Sequence, residues 1–270
     1  MSAAGDSGGA STSTSTSTST STSTSTSTST STSTSARERV LVALDVPGLV
    51  EAEQLLARLG GAPRVKVGLE LGAAAGTRAV AAAQAAGARV FLDLKLHDIP
   101  ETVGRTVRAL GGLGVDLLTV HASGGRAMLA AAAEAARALP EATRPRVLAV
   151  TVLTSMDDGD LVETGCVGPV AELVTRRAAL AAAAGADGVV CSPAEAALVR
   201  AVVPDGFLIV TPGVRAAGAE RGDQKRVATA AEAVRAGATH VVVGRPVRDA
   251  AEPALALAAL ADEIASAGVR

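Results

Sequence analysis

The amino-acid sequence predicts a (β/α)₈ barrel, on three observations. From Arg37 onward, short continuous apolar runs alternate eight times with alanine-rich helical segments. Four helix-to-strand junctions carry the same glycine device: Ala86-Gly87-Ala88, Leu113-Gly114-Val115, Ala184-Gly185-Ala186 and Ala236-Gly237-Ala238. The span 37–270 is also close to the ~250 residues typical of such a barrel. A doubly wound open sheet is the alternative, but no Gly-x-Gly-x-x-Gly follows the first run, and the barrel is preferred.

The chain opens with a different texture. Residues 11–35 are an alternating Ser-Thr tract, which has no apolar area to offset a backbone ordering cost of roughly 1–2 kcal/mol per residue. Residues 1–36 are therefore expected to form a disordered low-complexity tail, and 37–270 a single barrel domain. Strands are predicted at 40–44, 65–67, 90–92, 117–120, 147–152, 188–190, 208–210 and 240–243. Each run is continuous rather than alternating, as suits a parallel strand covered on both faces. Amphipathic helices are predicted at about 48–59, 73–86, 101–111, 125–138, 169–184, 194–202, 229–236 and 253–267. Pro100, Pro169, Pro193 and Pro253 sit near helix starts, where a missing N–H costs least. The repeated glycines read as left-handed caps that end one helix and release the next strand.

Composition narrows the function. With 25 basic and 27 acidic side chains, the net charge is −2, which offers no electrostatic pull toward nucleic acid or an anionic membrane. There is no Trp or Tyr and only two Phe, so platforms for base stacking are missing too. No apolar run approaches the ~18–20 residues of a membrane span, and the N-terminus lacks the pattern of a secretory signal. Cys166 and Cys191 suit neither a disulfide framework nor a zinc site, and a reducing cytoplasm fits best.

In a barrel of this class, catalytic groups stand at the C-terminal ends of the strands. Polar residues recur at that end of seven predicted strands: Asp45; Lys66; Asp93 and Lys95, with Asp98 beyond; His121; Thr154; Arg215; and Gly244-Arg245. Within residues 91–102, strand alternation puts Asp93 and Lys95 on one face and Leu92, Leu94 and Leu96 on the other. An isolated Asp-x-Lys is most simply a strand-end ion pair. The last two loops suggest a phosphate grip, in which Gly213, Gly218 and Gly244 let the backbone approach while Arg215 and Arg245 supply guanidinium forks. Gln224 adds a neutral donor. His97, His121 and His240 read as structural histidines, and Asp157, Asp158 and Asp160 as a solvated acidic loop.

Taken with Lys66 on the second strand, the Asp93-x-Lys95-x-x-Asp98-Ile99-Pro100 stretch resembles the orotidine 5′-monophosphate decarboxylase family. Similarity extends in order across residues about 40–260. The resemblance implies a cofactor-free decarboxylation of orotidine 5′-monophosphate to uridine 5′-monophosphate, the last step of pyrimidine nucleotide synthesis. It implies that Lys95 stabilises and protonates the reacting carbon, that Asp93 stands beside the departing carboxylate, and that Lys66 and Asp98 complete an alternating charge network. It further implies a homodimer in which Asp98 reaches the neighbouring subunit's site. Asp45 matches a ribose contact, Thr154 a pyrimidine contact, and Arg215, Gln224, Gly244 and Arg245 the phosphate grip. Leu94, Leu96, His97, Ile99, Pro100, Glu101 and Thr102 fall in the same substrate-binding segment. No metal is implied.

Two alternatives stay open on the sequence. A metal-dependent sugar-phosphate decarboxylase or aldol synthase of the same barrel group would share the Asp-x-Lys-x-x-Asp stretch, but would carry an acidic metal ligand where Lys66 stands. A non-catalytic nucleotide-binding barrel would be expected to have lost one of the four charged residues.

Overall fold

The computed structural model describes residues 36–214 and 228–267. The Ser-Thr tract lies outside the described residues. Ala36, assigned to the tail by its composition, is packed against the core. Eight parallel strands close into a barrel in sequence order: β1 (Val40–Ala43), β2 (Arg64–Val67), β3 (Arg89–Leu96), β4 (Leu117–His121), β5 (Arg146–Val150), β6 (Gly188–Val190), β7 (Leu208–Thr211) and β8 (His240–Val243). Closure is made by β1 against β8, with Val40, Leu41 and Val42 opposite Val241, Val242 and Val243.

Each strand run is legible because both faces of the barrel wall are apolar. The faces nevertheless differ. Outward residues such as Val40, Val42, Val65, Val67, Val90 and Leu92 join the helices in one cluster. Inward residues Leu41, Ala43, Phe91, Leu117, Leu148, Val210 and Val242 form a second cluster inside the barrel. Phe91 is among the largest fully buried side chains, and truncating it to Ala would cost roughly 3–5 kcal/mol.

The four junction glycines behave as the sequence predicts: Gly87, Gly114, Gly185 and Gly237 all have positive φ, between 65° and 104°. Pro100 and Pro253 are the first residues of helices Pro100–Gly111 and Pro253–Ser266. Three differences in boundary stand out. β3 runs to Leu96, well beyond its apolar piece, because polar Asp93 and Lys95 continue the strand. β5 ends at Val150, two residues short of its apolar run. The helix expected over 73–86 is two helices, Leu69–Ala75 and Thr77–Ala85, divided at Gly76 with φ 58° and ψ −139°. Helices Asp158–Glu163 and Arg245–Arg248 were not anticipated, being too short for an apolar stripe to show. Among the described residues, no helix is long and apolar enough to cross a membrane.

The two ends of the barrel carry different chemistry. At the N-terminal ends, Asp116 accepts hydrogen bonds from Arg64 Nε at 3.0 Å, Arg89 Nη2 at 2.8 Å and Arg146 Nη2 at 2.9 Å. Arg64 also donates to the Glu38 carbonyl. His240 lies buried among these groups; burial, then the neighbouring arginines, push its pKa down to about 3. This network closes the base of the barrel. The opposite end holds a cavity.

Candidate active site

A cavity of about 520 Å³ opens at the C-terminal ends of the strands. Its floor is apolar and comes from the barrel interior: Ala43, Phe91, Val150, Val190 and Val242. Against that floor stand Asp45, Lys66, Asp93 and Lys95, each brought in by strand geometry. On β2, Arg64 and Lys66 are two apart and point the same way, so one serves the base and the other the cavity.

The four charges form a continuous row. Lys66 Nζ lies 2.9 Å from Asp45 Oδ1 and 3.9 Å from Asp93 Oδ2. Lys95 Nζ lies 2.9 Å from the same Asp93 Oδ2. Lys66 and Asp93 are buried, with side chains 11% and 12% exposed, whereas Lys95 and Asp45 reach 30% and 44% at the mouth. An alternating row satisfies each buried ion from both sides, which is what such ions need to stay charged away from water. Gly68 makes the Asp45–Lys66 contact possible. A Cβ there would stand 2.7 Å from Lys66 Nζ and 3.3 Å from Asp45 Oδ1.

Asp93 and Lys95 do share a face, though not through a plain strand. The register between β3 and β4 shifts between Leu92, opposite Leu118, and Leu96, opposite Val120. Within this bulge, Lys95 has φ 52°, the one positive value at a non-glycine among the described residues. A left-handed residue with a side chain costs roughly 1–2 kcal/mol and is retained where its surroundings over-determine it. Leu94 and Leu96 turn back and pack against the core.

The other residues singled out in the sequence divide into three groups. Thr154, Gly213, Gly244 and Arg245 line the cavity. Arg215, Gly218 and Gln224 lie outside the described residues. His97, Asp98, Ile99, Pro100, Glu101 and Thr102 lie beyond the cavity wall of their own chain. There, Asp98 Oδ1 accepts the Ile99 N–H at 2.6 Å, and Ile99 is 65% exposed. Pro100, Glu101 and Thr102 form the first turn of Pro100–Gly111, with Glu101 paired to Arg105.

Two of the three histidines form a pair. His97 and His121 stack with centroids 5.3 Å apart, and Ser123 Oγ lies 2.6 Å from His121 Nδ1. Burial, then the charge of His97, lower the His121 pKa to about 4, so it is neutral at physiological pH. The acidic loop is accounted for by capping: Asp157 and Asp160 close a capping box on helix Asp158–Glu163, and Asp158 Oδ1 accepts the Val170 N–H.

Sequence reasoning missed two arginines. Arg248 lines the cavity one turn beyond Arg245, and donates to the Asp45 carbonyl at 2.7 Å while pairing with Asp249. Its three-residue spacing from Arg245 on a helix was the available signal. Arg177, on helix Val170–Ala183, donates to the Thr151 carbonyl at 2.6 Å and so braces the loop that presents Thr154. Nothing local in the sequence pairs those two residues.

The family model described as orotidine 5′-phosphate decarboxylase / HUMPS matches residues 38–260, most of the chain. The chain belongs to that family. Curated relatives agree: orotidine 5′-phosphate decarboxylase of Halorhodospira halophila is 54% identical over 231 residues, which cover 85% of this chain and 97% of the relative. The Moorella thermoacetica decarboxylase is 52% identical over 234 residues, covering 85% of this chain and 93% of the relative. Among solved structures, the Lactobacillus acidophilus decarboxylase superposes with a TM-score of 0.74 at 39% identity, covering 83% of this chain and 98% of that one. For this family member, the cavity therefore has both the row of charges and the relatives of a decarboxylase.

Proposed function

We propose that the protein decarboxylates orotidine 5′-monophosphate to uridine 5′-monophosphate, using its own charged side chains and no cofactor. The observation that carries this is the unbroken row Asp45–Lys66–Asp93–Lys95 along the cavity. Breaking the bond from C6 to the carboxylate releases CO₂ and leaves the electron pair on C6. A carbanion there has no attached electron sink, so a fixed cation must face it in a water-poor site. Lys95 is that cation, and its ammonium then gives a proton to C6. Asp93 holds Lys95 and Lys66 by one oxygen and stands where the substrate carboxylate departs. Lys66 stands between Asp93 and Asp45 and orients Asp45 for the ribose. Its ammonium already occupies the space between two carboxylates that a divalent ion would need.

Arg245, Gly244 and the Gly213 loop suit the 5′-phosphate, with Arg215 and Gln224 assigned to the same grip by the family resemblance. Thr154 is assigned to the pyrimidine edge. Phosphate contacts far from C6 can be used to close the site around the ring. Asp98 stands outside its own cavity beside exposed Ile99, which supports a homodimer in which each Asp98 completes the row of the partner subunit. Cysteine usage as sparse as Cys166 and Cys191 fits a reducing compartment such as the cytoplasm.

Absorbance-monitored loss of orotidine 5′-monophosphate in the presence of EDTA tests the assignment. The parent should turn over, and Lys95→Ala should lose turnover while still binding uridine 5′-monophosphate. Parent-level turnover by Lys95→Ala would refute the role given to Lys95. An activity confined to sugar phosphates and abolished by EDTA would refute the substrate.

A further inference from the structure

Thr119 carries none of the signals that draw attention to the charged residues, yet it touches two of them. It lies in the middle of β4, fully buried. Its Oγ1 is 2.8 Å from the backbone nitrogen of Lys95 and 3.0 Å from Asp93 Oδ1. The polarity of this bridge is fixed by its ends. The amide can only donate and the ionised carboxylate can only accept, so the hydroxyl takes the first bond on a lone pair and gives its one proton to Asp93.

The consequence for Asp93 is a division of labour between its oxygens. Oδ1 is tied to the scaffold through Thr119, leaving Oδ2 facing Lys95 Nζ at 2.9 Å and Lys66 Nζ at 3.9 Å. Rotation of the carboxylate would break the threonine bond and shift both ammonium contacts together. The consequence for Lys95 is that its left-handed backbone falls in the bulge, where the β3–β4 pairing is interrupted and its N–H is met by a side chain of β4. One hydroxyl thus links the orientation of the carboxylate to the turn that aims the ammonium.

We propose that Thr119 is a positioning residue for the decarboxylation, setting Asp93 and Lys95 in one mutual geometry before substrate arrives. The inference rests on the catalytic reading of Asp93 and Lys95 given above. A group that acts this way improves transition-state contacts rather than uniform binding, so its loss falls on kcat.

Thr119→Val keeps the shape and removes the hydroxyl, Thr119→Ala removes both, and Thr119→Ser keeps the hydroxyl. Steady-state kinetics with orotidine 5′-monophosphate, and titration with uridine 5′-monophosphate, should be run on all three beside Lys95→Ala. Loss of a hydrogen bond to a charged group predicts a kcat roughly 10- to 100-fold lower for the valine and alanine variants. Their affinity for the product should stay within about threefold, and the serine variant should keep kcat within about threefold. A folded Thr119→Val with parent kcat overturns the proposal, as does a serine variant as impaired as the valine one. If the valine variant is not recovered folded, the alanine variant decides by the same criterion. Parent-level turnover by Lys95→Ala would instead remove the catalytic reading beneath the proposal. An inactive Lys95→Ala beside an unimpaired Thr119→Val would sink the role of Thr119 alone.

Discussion

Replacing Asp116 by Ala should destabilise the barrel strongly and leave its chemistry intact. Asp116 is 11% exposed and receives three arginines at 2.8–3.0 Å. Burial raises its carboxyl pKa, but the charge of Arg146, the hydrogen bond from Arg64 and the charges of Arg64 and Arg89 together hold it below the ordinary value. At an effective dielectric of about 20, each contact is a gross attraction of roughly 5–6 kcal/mol, most of it offset by desolvation and by repulsion among the arginines. Arg89 is half exposed and regains solvent easily, whereas Arg64, 7% exposed, would keep the half-exposed Glu38 carboxylate at 3.4 Å as its remaining salt-bridge partner. Breaking a buried pair costs about 3–5 kcal/mol. Urea unfolding at pH 7 should show this loss at an unchanged denaturant slope, with a melting temperature lower by roughly 10 °C. Because Asp116 just precedes β4, at the end of the barrel opposite the cavity, kcat per folded molecule should match the parent. A loss under about 1 kcal/mol would show that the basal network is not holding the strands together. A large fall in kcat at full folding would refute the separation of the two ends.

Three further outcomes can be checked. Gly68→Ala should cut kcat/KM by roughly 10- to 100-fold, because the new methyl displaces the Lys66 ammonium; stability should change by less than about 1 kcal/mol, since the displaced atom ends a flexible side chain. His240, with its pKa pushed down to about 3, stays neutral while the unfolded chain takes a proton below about pH 6.5. The unfolded state then binds more protons, so stability is lost as pH falls, at up to about 1.4 kcal/mol per pH unit from this group; acid-side unfolding curves of His240→Gln should be flatter by that amount. Mixing Lys95→Ala with Asp98→Ala chains should restore activity, since one of the two sites in each heterodimer would carry both native residues; proven heterodimers without turnover would argue against a shared site.

The barrel was legible because its wall is apolar on both faces and its glycine caps recur at Gly87, Gly114, Gly185 and Gly237. The four cavity charges were legible too, since a strand that ends in Asp or Lys breaks an otherwise apolar run. What sequence could not show is contact across elements. Thr119 looks like an ordinary β-branched strand residue, and its partners are 24 and 26 positions away. Arg177 and the carbonyl it braces are equally separated in sequence. Alternation suggested a flat strand at Asp93–Lys95, and the structure has a bulge with a left-handed lysine. That difference arises because period-two reasoning assigns faces but carries no information about register against the next strand.

The left-handed lysine has a consequence for anyone who would move this chemistry to another protein. Glycine is the residue that ordinarily relieves such a backbone, yet glycine has no ammonium to offer. The position therefore has to stay strained to stay useful. A barrel given only Asp45, Lys66, Asp93 and Lys95 on straight strands would present the right charges in the wrong directions. The portable unit is larger: two adjacent strands, the slipped register between them, and the uncharged hydroxyl of Thr119 that bridges them.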